Sequence, residues 1–366
     1  MGRDTSCGES GPAHPTRGDP TSRGDHGDEP GLHRRVQAGR RWDAAARVGL
    51  AVAGFVPAVA LVFLAYELIR QAYPSILFNG TSFFTTKVFS PGSAYATGVE
   101  VHNGYKAVKG AHFGILTLMW GTLVSSLIAL AIAVPVSVGG AILLVERLPR
   151  RLQGPLGVFL ELLAGIPSVV FGLWGLATLG PVLARDVYKP VASLGIPWFD
   201  RAIAPTGQGL LTASLVLCVM IIPIIAATTR ELIRSVPQTT REGAVALGLT
   251  RSESVRLVTV PFIRTGVLAA ALLGWGRALG ETIAVLLISG YNLNGYPQSI
   301  FAAFTTMAAT IAGFLDGAIQ DPTGMAVHAL AEVGLVLLFV TVVTNFAGRL
   351  ITRRLATPGL PIGRGV

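Results

Sequence analysis

Arg277 and Glu281 are the two charged residues of an otherwise apolar stretch from Gly266 to Gly290. Arg277 lies about 16 Å along a helix that starts at Gly266, at 1.5 Å per residue, which places it near the middle of a bilayer. A charge at that depth costs roughly 2.5 to 3.5 kcal/mol, so such side chains face a bundle interior or an aqueous path. Because a guanidinium binds oxyanions through a planar fork of N–H donors, the pattern indicates a path for a phosphate-like anion.

A second interpretation of these two charges is a structural ion pair. Residues four apart on one helix are neighbours, so Arg277 and Glu281 can hold each other and lock the helix to its surroundings. The sequence leaves both interpretations open.

An interrupted helix is predicted around Ser168, which follows Gly165 and Pro167. Proline removes a backbone hydrogen bond, and this is tolerated at membrane depth where neighbouring helices or a wet cavity satisfy the freed groups. The small residues of this run fit helix packing. The alternative is that Ser168 and the freed carbonyl groups line the anion path.

The segment between the fourth and fifth apolar stretches predicts a helical hairpin over residues 235–261. Ser235 and Thr250 each precede a Gln or Glu by three residues, which is a signal for the start of a helix. Gly248 suits the end of the first helix, since glycine accepts a left-handed conformation at little steric cost. Residues 229–265, the whole stretch between the two apolar runs, contain six arginines and no lysine.

A hairpin of this kind has charged residues beside small apolar ones, which suits docking into a groove of a partner. The ordinary alternative is a solvated loop. The residues in question are Arg241, Glu242, Arg251, Glu253 and Arg256, beside Ala244, Leu247 and Leu249.

Composition places these features in a membrane protein. The mean hydropathy is +0.59 and only 13% of the 366 residues are charged, which is far more apolar than a soluble domain. Six apolar stretches reach the roughly 20 residues that a spanning helix needs. They are Val48 to Ile69, Ile115 to Val145, Leu156 to Leu183, Leu210 to Thr228, Gly266 to Gly290 and Met325 to Ala347.

The distribution of basic residues predicts that both termini are cytoplasmic. With that orientation, 21 of the 29 Lys and Arg residues lie on the cytoplasmic side, and all four lysines lie outside. The net charge of +9 therefore reflects topology, and we expect no nucleic-acid binding. Residues 1–40 are rich in Gly, Pro, Asp, Ser and Arg without apolar periodicity, so we expect a disordered cytoplasmic tail.

The hairpin resembles the cytoplasmic EAA loop of binding-protein-dependent ABC importer permeases. Glu242-Gly-Ala, Gly248 and Pro261 keep the spacing of that loop. The second Ala, the Ile and the Leu that are usual in the loop are replaced by Gly243, Val258 and Val260. Two further runs, residues 161–175 and 276–285, are similar to the phosphate-specific permeases of the PstC type. The resemblance covers about residues 48 to 350.

This resemblance implies an all-α membrane protein with six transmembrane helices and the type I ABC importer permease fold. It divides the chain into a tail (1–40), the first transmembrane helix with an extracytoplasmic loop (41–114), a permease core (115–350) and a cytoplasmic C-terminal tail (351–366). It assigns Arg277, Glu281 and Ser168 to the substrate path. It assigns the contact with the ATPase to Arg241, Glu242, Gly243, Ala244, Gly248 and Pro261.

The resemblance also implies partners in the cytoplasmic membrane. They are a second homologous permease, a dimer of ATPase subunits and an extracytoplasmic phosphate-binding protein, with the lipid bilayer around the permeases. The chain lacks a Gly-x-x-x-x-Gly-Lys-Ser/Thr phosphate loop, so we expect a non-catalytic subunit without a cofactor of its own. ATP and Mg²⁺ would be bound by the partner ATPase.

Other functions stay open at this point. An arginine does not choose among tetrahedral anions, so the substrate could be sulfate or molybdate instead. An intramembrane enzyme could use Glu281 as an acid or base, but it would need a second group such as Glu161 or Glu332 at similar depth. A passive channel would give the hairpin no purpose.

Overall fold

The structure, a computed structural model, describes residues 30–92, 98–195, 206–293 and 295–355. In this part of the chain six helical spans are long and apolar enough to cross a membrane, which confirms the predicted number. They are Gly49–Asn79, Leu116–Arg147, Ser168–Ala192, Leu210–Arg234, Arg251–Leu279 and Met325–Arg354.

The helical segments are numbered in chain order. They are α1 (Pro30–Asn79), α2 (Ser82–Thr85), α3 (Leu116–Ile142), α4 (Arg150–Ala164), α5 (Ser168–Trp174), α6 (Gly180–Leu183), α7 (Lys189–Ala192), α8 (Leu210–Arg234), α9 (Gln238–Ala246), α10 (Arg251–Ser254), α11 (Val260–Leu279), α12 (Ile283–Ile288), α13 (Met307–Ile319) and α14 (Met325–Leu355). Wide π turns follow α3, α5, α6 and α10, at Leu143–Arg147, Gly175–Leu179, Ala184–Tyr188 and Val255–Thr259.

The two ends of the described chain differ from the predicted tails. Helix α1 begins at Pro30, so residues 30–40 are helical in the structure. Up to Val62 the described chain is a single helix, and from Phe63 onward it forms a packed helical unit. Residues 1–29 and 356–366 lie outside the described residues, where the predicted tails stay predictions.

Helix α8 is the centre of this packed unit. It contacts α3, α11 and α4. Of its most apolar window 67% is buried, against at most 28% in the other five spans. A helix that is apolar on all sides belongs in a core. The other spans keep apolar faces that this chain leaves exposed.

The loop between the first two spans is ordered by two small sheets, which the sequence did not predict. Strands β1 (Phe89–Ser90) and β4 (His112–Phe113) pair antiparallel, as do β2 (Val99–His102) and β3 (Tyr105–Val108). Phe89 and Phe113 are buried in a cluster with residues of α14. The loop is therefore anchored to the helical unit by its aromatic side chains.

Helix α13 is not predicted from the sequence, because its 13 residues are too few to span a membrane. After α12 the chain turns back into the unit, and the Met307 N–H at the start of α13 donates to Thr122 Oγ1 in α3, at 3.0 Å. Gly121 in α3 permits this approach, since a Cβ there would collide with the carbonyl oxygen of Thr305. We call residues 289–319 the re-entrant segment.

The predicted third span, Leu156 to Leu183, is interrupted. It divides into α4 and a helical span that begins at Ser168. Pro167 causes the break, because its backbone is extended (ψ 137°) and proline supplies no N–H donor. The amphipathic α4 is thus separate from the span that follows it.

The predicted fifth span, Gly266 to Gly290, is interrupted as well. Helix α11 ends at Leu279, and the chain becomes helical again only at Ile283. Gly280 caps α11 with non-helical backbone angles (φ −91°, ψ 1°). At its other end the span extends back to Arg251 through the hairpin.

Candidate anion path and coupling hairpin

Arg277 lies in the last turn of α11, on an exposed face. Helices α8 and α11 are antiparallel, because Gly266 approaches Leu232 whereas Gly274, later in α11, approaches Ile225, earlier in α8. A Cβ added at Gly274 would lie 2.9 Å from Ile225 Cδ1. Since Ile225 is close to the midpoint of α8, Arg277 lies near the middle of the most buried span.

Arg277 and Glu281 do not form the structural ion pair of the second interpretation. The helix ends between them, at Leu279, so the two residues do not share one helix face. Within the described residues neither side chain has a salt-bridge partner. The guanidinium of Arg277 is therefore free to bind an anion from outside this chain.

Ser168 lies at the same level as Glu281. Helices α5 and α12 are parallel neighbours: a Cβ at Gly172 would lie 2.8 Å from Ala284 Cα, and one at Gly175 would lie 2.8 Å from Ile288 Cδ1. One turn before Gly172 is Ser168, and one turn before Ala284 is the break at Gly280 and Glu281. The two interrupted helices thus place their breaks side by side.

The face that carries Arg277 is apolar. Leu273 lies one turn before Arg277 on α11 and is exposed, as are Ile283 in α12 and Leu173 in the neighbouring α5. A guanidinium among apolar side chains meets little competition from water, so its hydrogen bonds to an oxyanion are strong.

The hairpin of residues 235–261 has the helix–turn–helix form predicted for it. Gly248 takes the left-handed conformation, with φ +84°. Thr250 forms a full capping box: its N–H donates to Glu253 Oε2 at 2.8 Å, and its Oγ1 accepts from the Glu253 N–H. The second helix continues through Pro261 into the membrane span, because a π turn precedes the proline.

The other predicted capping box is wrong. Ser235 is the last residue of the α8 end, where its Oγ donates to the Leu232 carbonyl oxygen. Helix α9 starts after Pro237 without a side-chain cap. The Gln238 amide instead donates to Glu242 within α9, at 2.8 Å.

Only part of the predicted ATPase contact is exposed. Glu242, Gly243, Gly248 and Pro261 are exposed, and Leu247 at the tip is 85% exposed. Ala244 is buried, so it packs the hairpin and does not offer a surface to a partner. The burial of Ala244 cannot be predicted from the spacing of residues, because α9 lacks a continuous apolar stripe that would mark its buried face.

Arg241 also faces inward. Its Nη1 lies 3.0 Å from Glu146 Oε1 at the end of the second span, and its Nη2 donates to the carbonyl oxygen of Ile233. The side chain is 26% exposed and that of Glu146 is 21% exposed. The sequence pattern predicts Arg241 on the outward charged face of the hairpin and gives no signal for Glu146, so that placement of Arg241 is wrong.

Comparison with known proteins identifies the fold and its relatives. A profile of the family described as binding-protein-dependent transport system inner membrane component matches residues 133–357. The chain belongs to this family. The resemblance seen in the sequence is thereby confirmed.

Relatives that match most of this chain carry a more specific name. The protein named phosphate transport system permease protein PstC 1 of Mycobacterium tuberculosis is 47% identical over 92% of this chain and 100% of its own length. A protein named PstC of Pasteurella multocida is 37% identical over 79% of this chain and 88% of its own length.

A solved structure supports the fold of the permease. A chain of a bacterial ABC transporter involved in the import of the acidic polysaccharide alginate aligns with a TM-score of 0.53. The alignment covers 87% of the permease and 100% of that chain, at 15% identity. This agreement is one of fold alone.

One buried charge in the permease escaped the sequence analysis. Arg230 in α8 is 7% exposed, and its Nη2 lies 2.7 Å from Glu161 Oε1 in α4 and 3.0 Å from Glu231 Oε1. Gly157 gives it room, since a Cβ there would collide with the guanidinium. The sequence gives no apolar run at this position, and the burial of Arg230 follows from its contact with α4.

Proposed function

We propose that this permease is the membrane subunit of an ATP-driven importer of inorganic phosphate. The observation that carries the proposal is Arg277, an unpaired guanidinium within the described chain, near mid-membrane on an exposed apolar face. A cation in that position is expensive unless it meets an anion. The names of its PstC relatives supply the choice of phosphate.

The coupling hairpin supports an energy source outside this chain. Its exposed tip, with Leu247 and Glu242, fits a groove on a cytoplasmic ATPase dimer that binds ATP and Mg²⁺. Movement of the ATPase would then rotate the permease as a rigid body and alternate access to the path. In this proposal both termini and the hairpin are cytoplasmic.

The open apolar wall beside Arg277 supports a second, homologous permease as the opposite wall of the path. An extracytoplasmic phosphate-binding protein would deliver the anion to the outer face. The charges of the permease do not themselves exclude sulfate or molybdate, so the substrate is assigned by the relatives and tested by competition.

The structure gives an intramembrane enzyme little support. The two carboxylates that could assist Glu281 have partners of their own. Glu161 is paired with Arg230, and Glu332 accepts a 2.6 Å hydrogen bond from Ser75. An importer without chemistry in this chain explains the same residues.

Uptake by the purified complex tests this proposal. The permease is purified from native membranes with its associated chains, these are identified, and the complex is reconstituted in liposomes that contain an ATP-regenerating system. We expect uptake of radiolabelled phosphate that requires ATP and that excess sulfate or molybdate does not inhibit. Uptake without ATP would indicate a channel, and inhibition by sulfate or molybdate alone would assign another oxyanion.

A further inference from the structure

Arg241 connects three elements of the permease: α9, the end of α8 and the π turn that follows α3. One nitrogen of its guanidinium lies 3.0 Å from Glu146 Oε1, in the π turn that ends the second span. Another donates to the carbonyl oxygen of Ile233, in the last turns of α8. Arg241 itself belongs to α9, the first helix of the hairpin.

The rest of α9 gives the hairpin little other attachment. Ala244 is the only residue of α9 that is buried. Next to the ion pair, however, the helix ends are well packed. Ala141, Ile233, Val236 and Ile263 form an apolar cluster that joins α3, α8 and α11. The ion pair lies between this fixed cluster and an exposed α9.

We propose that the Arg241–Glu146 pair is the link through which the hairpin moves the second span, and that Arg241 is a positioning residue within the permease. The inference rests on the proposed function and deepens it. The contact with Glu146 is an ion pair by distance, since Glu146 Oε1 accepts no hydrogen bond, whereas the contact with Ile233 is a hydrogen bond. A planar guanidinium can hold both contacts at the same time, whereas an ammonium group is a single point of charge. The ATPase contact is then left to the exposed residues of the hairpin.

The test separates binding of the ATPase from coupling. Glu146→Gln, Arg241→Gln and the exchange Glu146→Arg with Arg241→Glu are introduced into the full complex. Three quantities are measured for each: the amount of ATPase that co-purifies, basal ATP hydrolysis, and ATP-driven phosphate uptake. Arg234→Gln is the matched control, because it breaks an exposed ion pair with Glu231 (3.5 Å) at the end of the same α8.

We expect the two single variants to retain the ATPase and to hydrolyse ATP while uptake falls by about fivefold or more, the range typical of coupling between sites. The exchange should restore part of the uptake, since it rebuilds the ion pair but loses the donor to Ile233. The control should keep wild-type uptake. Thermal unfolding of each complex shows whether a single variant fails to fold, in which case the exchange carries the test.

Two results would overturn the inference. One is unchanged uptake in Glu146→Gln. The other is loss of the ATPase in Arg241→Gln but not in Glu146→Gln, which would make Arg241 a direct ATPase contact. Failure of the proposed function looks different, because the wild-type complex itself would then not import phosphate. If it imports another oxyanion, the same variants are measured with that anion.

Discussion

At the scale of single residues, Arg277 combines two properties that rarely occur together. It is charged and lies level with the middle of α8, the most buried span, and within the described chain it has no salt-bridge partner. A residue that served the fold would be held by its own chain, as Arg230 is held by Glu161 and Glu231. In the proposed function, Arg230 therefore has a structural role and Arg277 has a role in transport.

Replacing Arg277 should therefore affect transport and not folding. We expect Arg277→Gln to lower the apparent kcat/KM for phosphate uptake by at least about tenfold, because hydrogen bonds to a charged group contribute about 1.5–3 kcal/mol. Arg277→Lys keeps the charge but loses the planar fork, so its uptake should lie between that of the wild type and that of Arg277→Gln. Initial rates in reconstituted liposomes give both values.

The control for this prediction is Arg353→Gln, which removes an exposed arginine from the last turn of another helix, α14. It should leave uptake unchanged, and both variants should unfold at the wild-type temperature. Normal uptake in Arg277→Gln would show that the anion path runs elsewhere.

The sequence predicts the types of several site residues, but not the direction in which each side chain points, and it gives no signal for Glu146. Arg277 stands out because charge is rare in an apolar stretch. Arg241 and Ala244 were assigned to the outward face, yet one is paired with Glu146, 95 positions earlier in the chain, and the other is buried. Such directions depend on long-range contacts, which local spacing does not contain.

At the scale of elements, the turn of the hairpin needs one residue in the left-handed conformation. Of the two glycines of the hairpin, only Gly248 is in that conformation. Gly248 has φ +84°, whereas Gly243 lies within α9 and a Cβ there would meet nothing within 4 Å. We expect Gly248→Ala to destabilise the turn by about 1–2 kcal/mol and to reduce co-purification of the ATPase. Gly243→Ala should be neutral or stabilise α9 by up to about 1 kcal/mol.

Pull-down of the ATPase and thermal unfolding of the complex measure both effects. Gly243→Ala also restores the Ala that is usual in the EAA loop, so it is a matched control at the same surface. Equal retention of the ATPase by both variants would show that the turn does not position the contact.

The re-entrant segment depends on close contact with α3 at Gly121. An added methyl group would collide with the Thr305 carbonyl oxygen, whereas at Gly140 in the same helix it would meet nothing within 4 Å. We expect Gly121→Ala to destabilise the permease by about 1–3 kcal/mol, the usual effect of overpacking. Gly140→Ala is the control and should not. Thermal unfolding in detergent distinguishes them, and equal stability would mean that the segment can move away from α3.

The number and order of the spanning helices could be predicted from apolar runs, but their interruptions were only partly visible. Pro167 gave a clear signal for the third span, since proline cannot donate a hydrogen bond. Gly280 gave a weak one, because glycine is common in membrane helices. The 13-residue α13 was missed because length is the main signal for a span.

At the scale of the whole molecule, the described residues contain six helical spans, so the proposed topology puts both ends of the chain on one side of the membrane. The proposed topology puts this side in the cytoplasm, because residues 229–265, between the fourth and fifth apolar stretches of the sequence, contain six arginines and no lysine. In that topology the loop between the first two spans and the hairpin lie on opposite sides of the membrane. The proposal for transport and the proposal for coupling both depend on this orientation.

Cysteine labelling from each side tests the orientation. In a background with Cys7→Ser and Cys218→Ala, we introduce Lys106→Cys in the outer loop or Leu247→Cys at the hairpin tip, both at exposed positions. An impermeant maleimide should label Lys106→Cys on intact cells, because the loop is outside, and Leu247→Cys only after the membrane is opened. Labelling of Leu247→Cys should also fall when the ATPase is bound, since the tip would lie in its groove. Labelling of the hairpin on intact cells would reverse the topology, and with it the direction of transport.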